Sequence, residues 1–257
     1  MDKIKILNIN ILAITEKKLL ERLNEGVLLT PNVDHLVRLQ KDKEFYTLYQ
    51  QTEWVICDST VIQLFSKCLP ETIPETIPGS SFFPAYYMHH KDDMNCRIFL
   101  LGAMEGVAEI AKDKINKKVG RDIIVGSYSP PLGFEASKEE NIKIKKMIEQ
   151  SKATTVLVGV GCPKQEKWIF HHKDEILGVK LWLALGATID FEAGNKKRAP
   201  KIWRTLRMEW LYRMCQEPKR ISKRVFQDLI IFYYWGMQLL GKYNDPFMPG
   251  KGQIRGF

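Results

Sequence analysis

The stretch GVGCPKQ at residues 159–165 sets two glycines, a proline, a lysine and a glutamine directly after the apolar run TTVLV. Gly159 and Gly161 allow a close backbone approach to a ligand, and Pro163 suits the first turn of a helix. Lys164 and Gln165 then stand where free N–H groups and the helix dipole favour a diphosphate. A plain strand-to-helix turn explains the same spacing. Asp58, in CDST at 57–60, ends another apolar run, where a carboxylate can act as a general base or cap the helix that follows. TPN at 30–32 offers Thr30 and Asn32 at a third such position, as pocket residues or as the turn and cap of the next helix. Gly102, in LGAMEG at 101–106, marks a fourth.

Other groupings fit chemistry less well. Asp190 and Glu192 form a D-x-E pattern of the kind that holds metals. His89–His90 and His171–His172 are neighbours on helical segments, so their side chains diverge by roughly 100° and do not readily share a metal. The five cysteines, Cys57, Cys68, Cys96, Cys162 and Cys215, contain no CxxC pair, which implies neither a zinc site nor a disulfide framework. No G-x-G-x-x-G opens the first βα unit and no P-loop signature occurs, which argues against dehydrogenase and P-loop chemistry.

The elements that must position these residues repeat along the chain. Short apolar runs at 26–29, 53–57, 97–101, 121–125, 154–159 and 180–185 read as strands. Helical periodicity falls near 33–50, 59–68, 80–91, 105–118, 137–151 and 163–172. The fold class is therefore α/β: a Rossmann-like, mostly parallel sheet with helices on both faces and a helical, basic C-terminal appendage. Ligands of such a sheet sit beyond the carboxyl ends of its strands, where the candidates above cluster. The division falls between a core at 1–195 and an appendage at 196–257. MDKIKILNINILAI at the start reads as a strand rather than a signal peptide, and no run of about 18 apolar residues occurs to span a bilayer.

Charge separates the two parts. Residues 196–224 hold eleven Lys or Arg against Glu209 and Glu217, which equals the +9 of the whole 257-residue chain. Beyond them, VFQDLIIFYYWGMQLLG sets Gln227, Tyr234, Gln238 and Gly241 on one helical face among apolar residues. Such a helix lies in an interface, with basic residues against anionic lipid, or packs on the core or on a second subunit as a homo-oligomer. Nucleic acid, with Trp203, Trp210 or Tyr212 stacking on bases, is the competing partner, but the apolar residues are too continuous for a solvated groove.

TPNVDHLV, CDST, GVGCPKQEKWI, ALGATIDFEAGNKKRAP and RMEWLYRMCQEPKRISKR occur in order between about Val27 and Arg224. Together they resemble successive motifs of the WecG/TagA/CpsF family of bacterial glycosyltransferases. The resemblance implies transfer from a UDP-sugar to an undecaprenyl-diphosphate-linked sugar at the cytoplasmic face of the membrane, without metal or other cofactor. Its best-known members move N-acetylmannosamine to lipid-linked N-acetylglucosamine with inversion. It implies Asp58 as general base, Thr30 and Asn32 as pocket residues and Gln165 as a substrate contact, with Asp190 and Glu192 in a structural turn before the appendage. Where the family has an arginine and an acid, TIPGSS places Thr76 and Ser81, which leaves the donor sugar and the partner of its diphosphate open. Arg207, Arg213, Arg220 and Arg224 of the appendage are the candidates to supply that charge by folding over the site.

Overall fold

The computed structural model describes residues 1–196 and 226–248. An antiparallel hairpin comes first, β1 (Lys3–Ile6) and β2 (Ile9–Leu12), where the sequence suggested one strand. Leu7, at φ 53, and Asn8 form its turn, and Asn8 is buried, with its amide donating to the Leu39 carbonyl at 2.7 Å. Then follow α1 (Glu16–Arg22), β3 (Gly26–Leu29), α2 (Val33–Arg38), α3 (Lys43–Gln50), β4 (Trp54–Val55), α4 (Thr60–Ser66) and α5 (Gly79–His89). The remainder is β5 (Ile98–Gly102), α6 (Val107–Val119), β6 (Ile124–Tyr128), α7 (Lys138–Ser151), β7 (Thr155–Gly159), α8 (Lys164–His172), β8 (Leu181–Ala184), α9 (Thr188–Ala193) and α10 (Ile230–Leu239).

Six strands form one parallel sheet in the order β4-β3-β8-β7-β5-β6, as the alternation of apolar runs and helices implied. β7 is buried along its whole length, which explains its unbroken apolar sequence: a central strand has helices on both faces and no solvent side. One core cluster gathers the hairpin with α2, α3, α7, α8 and α10, and the other gathers α1, α5, α6 and α9.

Element boundaries moved where side chains found backbone partners. The segment 33–50 is two helices, because Asp42 accepts from the Phe45 N–H at 3.0 Å and starts a new one. The sixth strand of the sheet begins at Ile124 rather than 121, since Arg121 spends its guanidinium on the carbonyls of His90, Lys91, Asp93 and Cys96. Asp190 and Glu192 sit on helix α9 and not in a turn.

The final described helix packs two apolar residues on the body and leaves most of its other apolar residues outside. Ile231 and Trp235 are buried, with Trp235 stacked on Phe65 of α4 at 4.4 Å and 7°. Gln238 also faces inward: its oxygen accepts from Leu7 N at 2.9 Å and its amide donates to the Lys5 carbonyl at 2.9 Å. Phe226, Leu229, Ile230, Phe232, Tyr233, Leu239 and Leu240 are exposed. Among the described residues no helix is long and apolar enough to cross a membrane.

The strand ends converge through glycine. A Cβ on Gly159 would lie 2.6 Å from the Gly186 carbonyl oxygen, and one on Gly102 would lie 2.6 Å from the Gly159 carbonyl. Three backbones therefore stack where any side chain would force them apart. Gly159→Ala is expected to lower stability by roughly 1–3 kcal/mol, the usual cost of overpacking. Urea unfolding measures it, and an unchanged midpoint would remove the stacking argument.

Candidate active site

A cleft of about 1190 Å³ opens at the carboxyl ends of β3, β4, β7 and β8. Thr30, Asn32, Asp58, Gly159, Gly161 and Gln165 all line it, so one site collects six candidates from three separate stretches of the chain. Thr76 and Ser81 line it as well, as do Leu229, Ile231 and Phe232 at the start of α10. The cleft thus has a polar floor and an apolar rim.

Each floor residue is held by its element. Thr30 follows β3 and donates to the Ala184 carbonyl at 3.4 Å, tying two strand ends together. Asn32 caps α2, its side-chain oxygen accepting from His35 N at 3.3 Å, while the residue still faces the cleft. Both readings of TPN coexist. Asp58 stands two residues before α4, whose N-cap is Ser59, so the capping position belongs to its neighbour. Thr76 donates to Gln63 Oε1 at 3.0 Å and brings no charge to the place of an arginine.

Gln165 lines the cleft and is also held beneath it. It is 3% exposed, and its Oε1 accepts from Gly161 N at 3.2 Å and from Gly186 N at 3.1 Å. Its amide donates to Glu166 Oε1 at 2.9 Å. The side chain braces the loops after β7 and β8 from beneath. The signal was present in the sequence: 165, 168, 169 and 172 fall on one helical face, and Trp168 and Ile169 are buried with Gln165. Gly161, at φ +89 with open space around it, makes the turn that lets its N–H reach Gln165.

Lys164 and Gly102 are absent from the cleft lining. Lys164 projects from α8 to an ion pair with Glu135, whose carboxyl it holds below the usual range. The positive φ and close packing of Gly102 serve the strand stack. Arg207, Arg213, Arg220 and Arg224 lie outside the described residues, together with Trp203, Trp210 and Tyr212. Asp190 lines the cleft and accepts from Asn195 at 3.1 Å, whereas Glu192 accepts from Tyr87 at 3.0 Å away from it. The two carboxylates do not share a metal position.

Sequence reasoning passed over the buried groups below the floor. His35, 4% exposed, bonds through Nδ1 to the Tyr49 hydroxyl at 2.7 Å. Glu166 is 1% exposed, and burial pushes its carboxyl up to about 7. Its place beside Gln165 on a helix with a buried face was the available clue. Among the described lining residues, Lys196 is the cation beside Asp34, Asp58, Glu75, Asp190 and Asp228.

The sequence profile described as "Glycosyl transferase WecG/TagA/CpsF family" matches residues 4–244. Among similar proteins is the N-acetylglucosaminyldiphosphoundecaprenol N-acetyl-beta-D-mannosaminyltransferase of Staphylococcus aureus strain MRSA252. It is 29% identical over 216 residues, covering 82% of this chain and 79% of the relative. The protein of the same name from strain MW2 is 28% identical over the same coverage.

Gln165→Ala would leave the Gly161 and Gly186 N–H groups and the Glu166 carboxyl without their amide partner. At about 1–3 kcal/mol for each buried polar group left unsatisfied, it is expected to lower the unfolding free energy and to impair turnover together. Thermal melts and steady-state kinetics check this, and a fully stable variant with normal turnover would show that the brace is dispensable.

Proposed function

The chain belongs to the WecG/TagA/CpsF glycosyltransferase family, and from that premise we propose that it transfers N-acetylmannosamine from its UDP-sugar to N-acetylglucosamine on undecaprenyl diphosphate. One observation carries the reading: a polar floor holding Asp58 adjoins an apolar rim of Leu229, Ile231 and Phe232. A sugar on a lipid carrier needs both surfaces at once.

In the proposed reaction Asp58 takes the proton of the acceptor hydroxyl as its oxygen attacks the anomeric carbon. The bond from that carbon to the diphosphate oxygen breaks, UDP departs, and inversion makes a β linkage. A positioned base contributes about 10²–10⁴ in rate. No metal is assigned to this step. The leaving diphosphate draws on positive charge that the described floor supplies only through Lys196. The chain leaves the cleft at Lys196 and returns to it at Asp228, and the intervening sequence carries ten further Lys or Arg. That tether at both ends supports Arg207, Arg213, Arg220 and Arg224 as the partners of the diphosphate where Thr76 replaces an arginine.

The same arrangement supports a peripheral position on the cytoplasmic face of the membrane. Phe226, Leu229, Ile230, Tyr233 and Leu240 recur at helical spacing along one exposed stripe, and basic sequence precedes them. Basic residues near an anionic surface add about 1 kcal/mol each.

Two experiments test the reading. Offered a panel of UDP-sugars with lipid-diphosphate-N-acetylglucosamine analogues in EDTA, the protein is expected to turn over UDP-N-acetylmannosamine and give a β linkage by product NMR. Asp58→Asn should lower kcat at least ~100-fold with the fold intact. Failure of every UDP-sugar would remove the proposed activity, and a near-normal kcat in the variant would remove the base. In the second, the double variant Ile230→Glu, Tyr233→Glu should lose sedimentation with anionic liposomes. Undiminished sedimentation would overturn the membrane assignment for this stripe.

A further inference from the structure

The buried groups under the cleft floor form a donor set that the transfer chemistry does not use. His35 from α2, Cys162 from the turn after β7 and Glu166 from α8 bring one nitrogen, one sulfur and one carboxylate oxygen within 4.8 Å of one another. From this juxtaposition we infer that the protein binds a thiophilic divalent cation of the zinc class at the cleft floor.

Four observations point the same way. Glu166 is 1% exposed and its side chain meets the Cys162 thiol, while its Oε2 lacks a full hydrogen bond, a buried acceptor of the kind that a cation satisfies. His35 is bonded through Nδ1 to the Tyr49 hydroxyl at 2.7 Å, the outer hydrogen bond that orients a metal-bound imidazole, so ligation falls to Nε2. The set mixes nitrogen, sulfur and oxygen, which suits zinc and not magnesium or calcium. His35 and Cys162 also line the cleft, so an ion has an entry path and a fourth position open to solvent or ligand.

Charge and geometry agree with this choice. On binding, the Cys162 thiol proton and any proton held by the Glu166 carboxyl pass to solvent, and the resulting thiolate and carboxylate together neutralise a divalent ion. Arg38 acts electrostatically on Glu166 and opposes any cation there, so the metal–thiolate bond is the term that must outweigh it. Zinc bond lengths place tetrahedral ligand atoms roughly 3.3–3.8 Å apart, so side-chain shifts of about 1 Å close the set. An ion there joins α2 to α8 and should stabilise the fold by mass action.

The test is direct binding to the metal-free full-length chain. Zinc is expected to bind with one equivalent at micromolar or tighter Kd by competition with a chromophoric chelator, and to raise the Tm. Cobalt(II) should give thiolate-to-metal charge-transfer absorption. Outer-shell partners alone contribute ~10–100-fold in affinity, so Cys162→Ser should weaken zinc binding by at least ~100-fold and abolish the cobalt band. Should that variant fail to fold, peptide-resolved alkylation of the native chain decides, because zinc must protect Cys162 from iodoacetamide. Binding weaker than ~100 μM, or binding and protection indifferent to Cys162, overturns the inference. None of these readouts depends on glycosyl transfer, so they stand or fall apart from the proposed activity.

Discussion

One amide oxygen holds the cleft in shape. Gln165 Oε1 accepts from Gly161 and Gly186, the turns that follow β7 and β8, and it does so from a buried position below both. Parallel strands deliver their carboxyl ends to one edge but do not fix the loops beyond them. Here the loops are fixed by a shared acceptor, and the glycine stack of Gly102, Gly159 and Gly186 lets the backbones approach closely enough to share it. The amide of Gln165 is in turn fixed by Glu166, so its orientation does not depend on the substrate.

Much of this was legible in the sequence, and for identifiable reasons. β7 announces itself as an unbroken apolar run because both its faces are covered, and the glycines after it mark where the chain must turn. Thr30, Asn32 and Asp58 meet in one cleft because parallel topology brings strand ends together whatever the intervening length. Helix ends and the hairpin were less legible. Asp42 splitting one helical segment and Arg121 delaying β6 are side-chain-to-backbone bonds, and sequence periodicity carries no record of those. Lys164 reads as a ligand for a diphosphate because it opens a helix beside a glycine turn, yet Glu135, distant in sequence, takes it away from the cleft.

The appendage shows the same limit more sharply. Gln238 belongs to the polar face of an amphipathic pattern, and polar faces are expected to meet water. In the fold it meets the unpaired backbone of the hairpin instead, at Leu7 and Lys5, where its two hydrogen bonds satisfy main-chain groups. Gln227 and Gly241 of the same face stay exposed, and Ile231 and Trp235 are the residues that α10 buries. The exposed apolar stripe is what remains of the helix once that pair and Gln238 have docked.

Helix α4 gives Asp58 and α10, which already share the cleft lining, a second connection through the core. It starts just after Asp58 and carries Phe65 near its other end, where the indole of Trp235 lies flat against the ring. Seven helical residues make a rod of about 10 Å, too short to bend appreciably. Asp58 and the docked face of α10 are thus the two ends of one lever, with the hydrophobic core as its bearing. A force that lifts α10 from the body, such as the pull of an interface on its outer face, acts on a stiff arm whose far end sits beside Asp58.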